Sequence, residues 1–305
     1  MDMKKLLSAL VCCVILSTFV ASGQEESGYK RTRDVIYGRK FGTSLTLDVF
    51  QPTNANGIGI IFLVSGGWLS SYDTPNMVTV NPDSIKLFLD HGFTVFSVVH
   101  GSQPKFIIPE IVQDLERAVR FIRHNARSYG VDPDRLGITG SSSGGHLGLM
   151  VATHGDAGNP NAPDPVDRES SAVQAAAVFF PPTDFLNWGA PGVYAVTNTM
   201  APLAAAFGPR SEMTADWQAY GREISPVYFV TSNLPPVIII HGGDDPTVPL
   251  QQSKLFIQTA REVGAPIPKL IVRPGKGHGW GNFWQSKEDI DAFNQWFDEH
   301  LKDRK

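Results

Sequence analysis

A serine flanked by glycines is the clearest candidate for chemistry in this sequence. Ser142 has Gly140 two residues before it and Gly144 two residues after it, between a short apolar run and a helical stretch. Glycines at these positions allow a turn too tight for side chains, and such a turn projects the serine hydroxyl above a sheet. Ser141 and Ser143 lack this pair of glycines. The pattern predicts that Ser142 is a nucleophile, and the alternative is a serine-rich turn that only caps the following helix.

A serine hydroxyl is a poor nucleophile near neutral pH, so it needs an adjacent base, which in turn needs an orienting acid. Of the eight histidines, His278 lies between Gly277 and Gly279, just after the last apolar run that reads as a strand. The glycines leave its ring free to approach a serine. We expect His278 to be the base, and His241 is the weaker alternative.

The acid is expected on the loop that follows the apolar run at residues 237–240, because sheets of parallel strands bind ligands at the carboxyl ends of the strands. Asp244 and Asp245 both lie on that loop. Residue type and spacing do not separate the two neighbours. Asp184, on the loop after another apolar run, is a weaker third candidate.

Acyl transfer also needs N–H donors for the negative charge that develops on the substrate oxygen. The amide of Ser143 is one candidate, because it begins a helix immediately after the nucleophile. Gly66 and Gly67 follow the apolar run at residues 58–64 and are the other candidates, since adjacent glycines expose their amides to a ligand. The alternative for this pair is an ordinary turn.

Apolar runs and helical stretches alternate from residue 32 onward, which predicts an α/β fold with a mainly parallel sheet flanked by helices. About eight runs read as strands, of which the first two read as an antiparallel pair: residues 34–37, 45–50, 58–64, 93–99, 136–139, 175–180, 237–240 and 270–272. Helical spacing covers residues 83–91, 109–129, 143–154, 250–263 and 289–301.

Residues 183–233 break this alternation, with four prolines, several aromatic residues and no clear strand. The segment is interpreted either as a small cap inserted between two strands or as an irregular connection without a role. No internal repeat marks a second unit. We therefore predict a single catalytic domain over residues 24–305.

The first 23 residues are typical of a secretory signal peptide. Lys4 and Lys5 precede an apolar stretch of residues 6–20, which is shorter than the roughly 20 residues that span a bilayer, and small residues follow it. An uncleaved anchor is the alternative. Both cysteines, Cys12 and Cys13, lie in this segment, so a mature chain has no thiol chemistry and no disulfide. We expect a secreted or periplasmic protein with no stable membrane span after cleavage.

Charge and motifs exclude several classes of function. The formal net charge is −4 and no run of Lys or Arg occurs, which argues against a nucleic-acid surface. No metalloprotease-type H-E-x-x-H motif is present, and no metal or organic cofactor is expected. The expected partner is a small or polymer-linked ester, and the oligomeric state is left open.

Together these motifs resemble the esterase/lipase branch of the α/β-hydrolase superfamily, close to hormone-sensitive-lipase-like and bacterial feruloyl- and acetyl-esterase-like enzymes. Residues 109–135 resemble the long helix of that family and the loop before its nucleophile strand. The acid motif of the family, H-G-x-x-D followed by V-P, aligns with residues 241–249 and selects Asp245. Its histidine loop, G-x-G-H-G, matches residues 275–279.

The sequence departs from the family at one motif. The usual oxyanion motif is close to H-G-G-G-W, and alignment on Trp68 places Val64 and Ser65 where the family has His and the first Gly. Gly66 and Gly67 are retained. Because the donors are backbone amides, loss of the His side chain does not by itself remove the expected function.

The resemblance implies an α/β-hydrolase domain that cleaves carboxylic esters through Ser142, His278 and Asp245. One alternative is a peptidase of the prolyl-oligopeptidase type, although such chains usually carry a large propeller domain that this length cannot hold. The other is a catalytically silent member of the fold that acts as a binding protein. Seven aromatic residues either line a substrate pocket or simply pack: Trp68, Tyr72, Phe106, Trp188, Tyr194, Trp217 and Trp280.

Overall fold

A computed structural model of the chain describes residues 24–26, 28–71, 82–197, 200–212 and 216–302. The predicted signal peptide lies outside these residues. The described strands are β1 (Gln24–Glu26), β2 (Tyr29–Lys40), β3 (Thr43–Pro52), β4 (Gly59–Val64), β5 (Thr94–Val99), β6 (Leu136–Ser141), β7 (Ala175–Phe179), β8 (Val237–Gly242) and β9 (Lys269–Arg273).

These nine strands form one sheet in the order β1-β2-β3-β5-β4-β6-β7-β8-β9. From β5 to β9 all neighbouring strands are parallel, whereas β1, β2 and β3 form an antiparallel edge against β5. Strands β4, β7 and β8 are buried along their whole length, which explains why they are apolar apart from His241 near the end of β8. The predicted mainly parallel sheet is confirmed. Strand β1 was not predicted, because its three residues are polar.

Helices cover both faces of the sheet. All five predicted helices are present, with a short sixth in the segment after β7: α1 (Pro82–Asp90), α2 (Ile108–Asn125), α3 (Ser143–His154), α4 (Trp217–Glu223), α5 (Gln251–Glu262) and α6 (Lys287–Leu301). Helices α1 and α6 bury Phe88 and Phe293 in the apolar cluster on one face. Helices α2 and α3 bury Leu115 and Leu147 in the larger cluster on the other.

The segment between β7 and β8 contains short 3-10 helices and α4 in place of a regular crossover. Several of its aromatic side chains are buried in the larger apolar cluster, among them Phe185, Phe207 and Trp217. The ring centroid of Phe207 lies 5.3 Å from that of Trp68, which follows β4. The segment therefore packs over the carboxyl end of the sheet; its role as a cap stays a prediction. Across the described ranges, no helix combines the length and apolarity needed to span a bilayer.

Candidate active site

Three loops at the carboxyl ends of parallel strands bring the predicted Ser, His and Asp together. Ser142 follows β6, Asp245 follows β8, and His278 follows β9. His278 Nε2 lies 2.9 Å from Ser142 Oγ, and His278 Nδ1 lies 2.8 Å from Asp245 Oδ2. The imidazole thus bridges the hydroxyl and the carboxylate, which is the arrangement of a serine nucleophile with its base and orienting acid.

Ser142 stands on a strained turn between β6 and α3. Its backbone has φ 54° and ψ −121°, a conformation that side-chain-bearing residues rarely adopt. A Cβ at Gly140 would lie 2.6 Å from backbone atoms of Gly144, and a Cβ at Gly144 would lie 3.1 Å from the carbonyl oxygen of Leu63. The two glycines of the motif therefore allow the turn to close, as the sequence pattern predicted.

Asp245, and not its neighbour, is the carboxylate that contacts the histidine. Its Oδ1 accepts the amides of Thr247 and Val248, each at 2.9 Å, while Oδ2 faces His278. Burial alone would raise the pKa of Asp245, but the nearby rings of His241 and His278 and the amide of Val248 outweigh it and hold the pKa below its usual range. The carboxylate is therefore ionised at neutral pH.

Asp244 and Asp184 lie elsewhere. Asp244 is exposed, and its amide donates to the Lys276 carbonyl at 3.0 Å. Asp184 is buried in the segment after β7, where it accepts the Leu186 amide at 2.8 Å and the Tyr228 hydroxyl at 3.2 Å. These contacts assign Asp184 to the packing of that segment.

His241 packs against the loop that carries Asp245. Its ring is fully buried, with Nδ1 2.7 Å from Ser253 Oγ and Nε2 donating to the Val248 carbonyl at 2.9 Å. Nε2 also lies 3.6 Å from Asp245 Oδ2. The ring is committed to these partners, so the structure does not offer His241 as the base for Ser142.

The loop after β4, residues 65–68 and hereafter the β4 loop, lies beside the serine. The amide of Gly66, a predicted donor, donates instead to the Leu69 carbonyl at 3.0 Å, so the structure does not offer it to a substrate oxygen. Gly67 has φ 56° and lines the cavity that contains Ser142. Ser143 occupies the first turn of α3, where backbone amides have no partner within the helix. Gly67 and Ser143 remain the candidate donors.

A cavity of about 340 Å³ opens next to Ser142 and His278. Among the described residues that line it, His278 is the one titratable side chain. The rest of the wall is largely aromatic and apolar: Phe62, Leu63, Val64, Phe180, Phe283 and Trp284. Phe180 has a φ of 34° and places its ring centroid 4.6 Å from that of His278. Sequence analysis missed these aromatic residues, because nothing in their spacing distinguishes them from core residues.

The aromatic residues predicted for a pocket mostly belong to the core. Four of them are buried in the larger apolar cluster: Trp68, Phe106, Trp188 and Trp217. Tyr194 packs on Trp217, and Trp280 packs on Phe180. Tyr72 lies outside the described residues. Among the residues that the structure does describe, no three His, Asp, Glu or Cys side chains group so as to hold a metal ion.

Comparison with known proteins gives consistent likenesses. A model of the BD-FAE family matches residues 47–259. Esterase LipQ of Mycobacterium tuberculosis is 30% identical over 82% of this chain and 57% of its own length. The probable carboxylic ester hydrolase LipM of the same organism is 27% identical over 77% of this chain and 53% of its own. The chain thus spans little more than half the length of these relatives.

Solved structures are similar over almost the whole chain. The truncated form of a carbohydrate esterase from gut microbiota has a TM-score of 0.74 and 26% sequence identity, over 92% of this chain and 99% of that one. These likenesses confirm the predicted α/β-hydrolase fold and the resemblance to its esterase/lipase branch.

Proposed function

The chain belongs to the BD-FAE family, and we propose that it is a carboxylic ester hydrolase that acts through Ser142, His278 and Asp245. The observation that carries the proposal is the pair of contacts of the His278 ring, 2.9 Å to Ser142 Oγ and 2.8 Å to Asp245 Oδ2. The names of the relatives, which are esterases and a probable carboxylic ester hydrolase, support the same reaction class.

The contacts of His278 support one placement of the ring proton. The ionised Asp245 accepts the proton-bearing Nδ1 of His278, which leaves the Nε2 lone pair facing the Ser142 hydroxyl. As Ser142 Oγ attacks the ester carbonyl carbon, its proton passes to Nε2. Asp245 then stabilises the imidazolium without taking the proton itself.

The tetrahedral oxyanion forms beside the amides of Gly67 and Ser143, and each such donor is worth about 3 kcal/mol of transition-state stabilisation. Collapse of the intermediate breaks the bond to the alcohol oxygen, which leaves with the proton from Nε2. Water then attacks the acyl-enzyme as Nε2 of His278 takes its proton; the bond to Ser142 Oγ breaks, Oγ regains a proton from Nε2, and the carboxylic acid is released. The balance is one ester and one water consumed, one alcohol and one acid formed.

Hydrolysis of p-nitrophenyl esters from acetate to palmitate, with methyl ferulate alongside, tests the proposal. We expect wild-type turnover and a loss of several orders of magnitude in Ser142→Ala, because the nucleophile is lost but little packing changes. Ser141→Ala is the matched control and should keep most of its activity. Equal rates for wild type and Ser142→Ala would refute the assignment.

The same series distinguishes the alternatives. Cleavage of dipeptide amides in preference to esters would favour the peptidase. Silence toward every substrate, together with no covalent labelling of Ser142 by a fluorophosphonate, would favour a binding protein.

We also propose that the protein is exported. The charged start, the apolar residues 6–20 and the small residues that follow support this. Expression with the natural N-terminus should give a processed protein outside the cytoplasm, with a new N-terminus near Gln24. A full-length protein retained in the membrane fraction would instead favour the uncleaved anchor.

A further inference from the structure

The shape of the β4 loop is held from outside by Gln103. The Gln103 side chain donates from Nε2 to the carbonyl of Gly67 at 2.6 Å, and its backbone amide donates to the carbonyl of Trp68 at 3.2 Å. One residue thus holds two consecutive carbonyls of the loop that lines the cavity.

Holding these carbonyls also orients the amides. In a planar trans peptide the C=O and N–H point in opposite directions, so a carbonyl fixed by one partner fixes the N–H on the other side. The Gly66 carbonyl accepts the Leu69 amide at 3.0 Å, which fixes the Gly67 N–H. The Gly67 carbonyl, held by Gln103, fixes the Trp68 N–H in the same way.

The loop needs such support because its backbone is strained. Gly67 has φ 56° and Trp68 has φ 59°, two consecutive left-handed residues of which the second carries the largest side chain. Strained conformations persist only where the surroundings over-determine them. Gln103 is therefore placed to keep the loop in the conformation in which the Gly67 amide faces the cavity.

Gln103 is itself well anchored. It is 9% exposed and lies just beyond the end of β5, where the neighbouring segment makes two further bonds to the chain after the loop. The Ser70 amide donates to Ser102 Oγ at 3.1 Å, and the His100 amide donates to Ser70 Oγ at 3.2 Å. These bonds tie the chain after β5 to the chain after the β4 loop and so hold the Gln103 side chain in place.

We propose that Gln103 is a positioning residue for ester hydrolysis: its side-chain N–H holds the Gly67 carbonyl and so fixes the backbone on the far side of Gly67, which keeps the β4 loop in the shape that aims the Gly67 amide at the developing oxyanion. The proposal rests on the proposed esterase function. Gln103 touches neither the reacting atoms nor the nucleophile; it acts through the loop. Its effect is therefore expected in the transition state and not in ground-state binding.

The test compares Gln103→Leu, Gln103→Met and Gln103→Glu with wild type. Loss of one oxyanion donor costs about 100-fold to 1,000-fold in kcat, so displacement of the loop should cost about 10-fold to 100-fold, with KM changed less than about threefold. Affinity for a trifluoromethyl ketone, which forms an oxyanion on Ser142, should fall by the same factor as kcat/KM.

Gln103→Glu adds a readout that a packing role would not move. An ionised carboxylate has no donor and repels the Gly67 carbonyl, whereas a protonated carboxyl regains an O–H donor. The activity of Gln103→Glu relative to Gln103→Leu should therefore rise as the pH is lowered from 8 toward 5. A constant ratio would overturn the hydrogen-bonding role.

Two controls separate the possible failures. Gln51 donates from its side chain to the Tyr129 carbonyl at 3.3 Å, remote from the site, and Gln51→Leu should keep wild-type kcat. Equal losses in Gln51→Leu and Gln103→Leu, in step with lowered thermal stability, would overturn the positioning role. Full activity of Gln103→Leu alongside an inactive Ser142→Ala would overturn this proposal alone, and an active Ser142→Ala would overturn the esterase mechanism and this proposal with it.

Discussion

Replacement of Asp245 by Asn tests the orientation of the catalytic histidine with almost no change in shape. In the native loop, Oδ1 of Asp245 accepts two backbone amides, from Thr247 and Val248, each at 2.9 Å. An asparagine has one oxygen and one NH₂ group, and only the oxygen can accept these amides. Its NH₂ group must therefore take the place of Oδ2 and face the histidine.

That arrangement reverses the tautomer of His278. A ring nitrogen that faces an NH₂ donor must be unprotonated, so the proton moves from Nδ1 to Nε2, which lies 2.9 Å from Ser142 Oγ. The nitrogen that faces Ser142 then has no lone pair with which to remove the serine proton. The comparable Asp-to-Asn change in a Ser-His-Asp triad lowers kcat about 10⁴-fold. This factor corresponds to about 5.4 kcal/mol of transition-state stabilisation.

The assay is kcat and KM for p-nitrophenyl butyrate, together with the rate of fluorophosphonate labelling of Ser142. Both the turnover and the labelling rate should fall by about 10⁴-fold, with KM little changed. Asp244→Asn, one residue away on the same loop and exposed, is the matched control and should stay near wild type. A loss of less than tenfold in a folded Asp245→Asn protein would refute this account of the acid.

Two further predictions concern the turn and the buried histidines. Gly140→Ala should lower kcat/KM at least about 100-fold in the ester assay. The added Cβ would lie 2.6 Å from the Gly144 backbone, so the nucleophile must shift. Gly148→Ala is the control and should stay active, because its Cβ has its nearest contact at 3.4 Å. Burial lowers the pKa of His100 and of His146 to about 4, so the folded state binds fewer protons than the unfolded state between pH 6.5 and 4. Each histidine should therefore lower the free energy of unfolding by about 1.4 kcal/mol per pH unit as the pH falls through this window. Urea unfolding at several pH values measures this dependence, and the free energy of unfolding should change less steeply with pH in His146→Gln than in wild type. An equally steep dependence in the variant would contradict the prediction.

The serine and the histidine could be predicted because local sequence imposes their geometry. The tight turn at Ser142 requires the glycines that mark it, and His278 lies on the loop directly after the last strand, β9. The choice between Asp244 and Asp245 is different. It depends on the two amides of Thr247 and Val248 that orient one carboxylate, and spacing does not encode that fold of the loop.

The wall of the cavity was beyond prediction for a related reason. Phe180, which follows β7, has a backbone φ of 34° and packs its ring on that of His278. Trp68 shows the reverse case. It stands directly after the predicted oxyanion glycines, yet its indole is buried and donates from Nε1 to Nδ1 of His146 at 3.1 Å. An aromatic residue near a motif is thus assigned to pocket or core by backbone conformation, which tertiary packing determines.

Side-chain contacts support the β4 loop, although its sequence departs from the family motif. Val64 is a buried residue of β4, and Ser65 Oγ lies 3.0 Å from Ser143 Oγ, so the serine links the loop directly to the helix that carries the other candidate donor. Gln103 also bonds to the loop, so side chains from two other segments support it. In this chain Ser65 and Gln103 hold the loop without a histidine at the start of the motif.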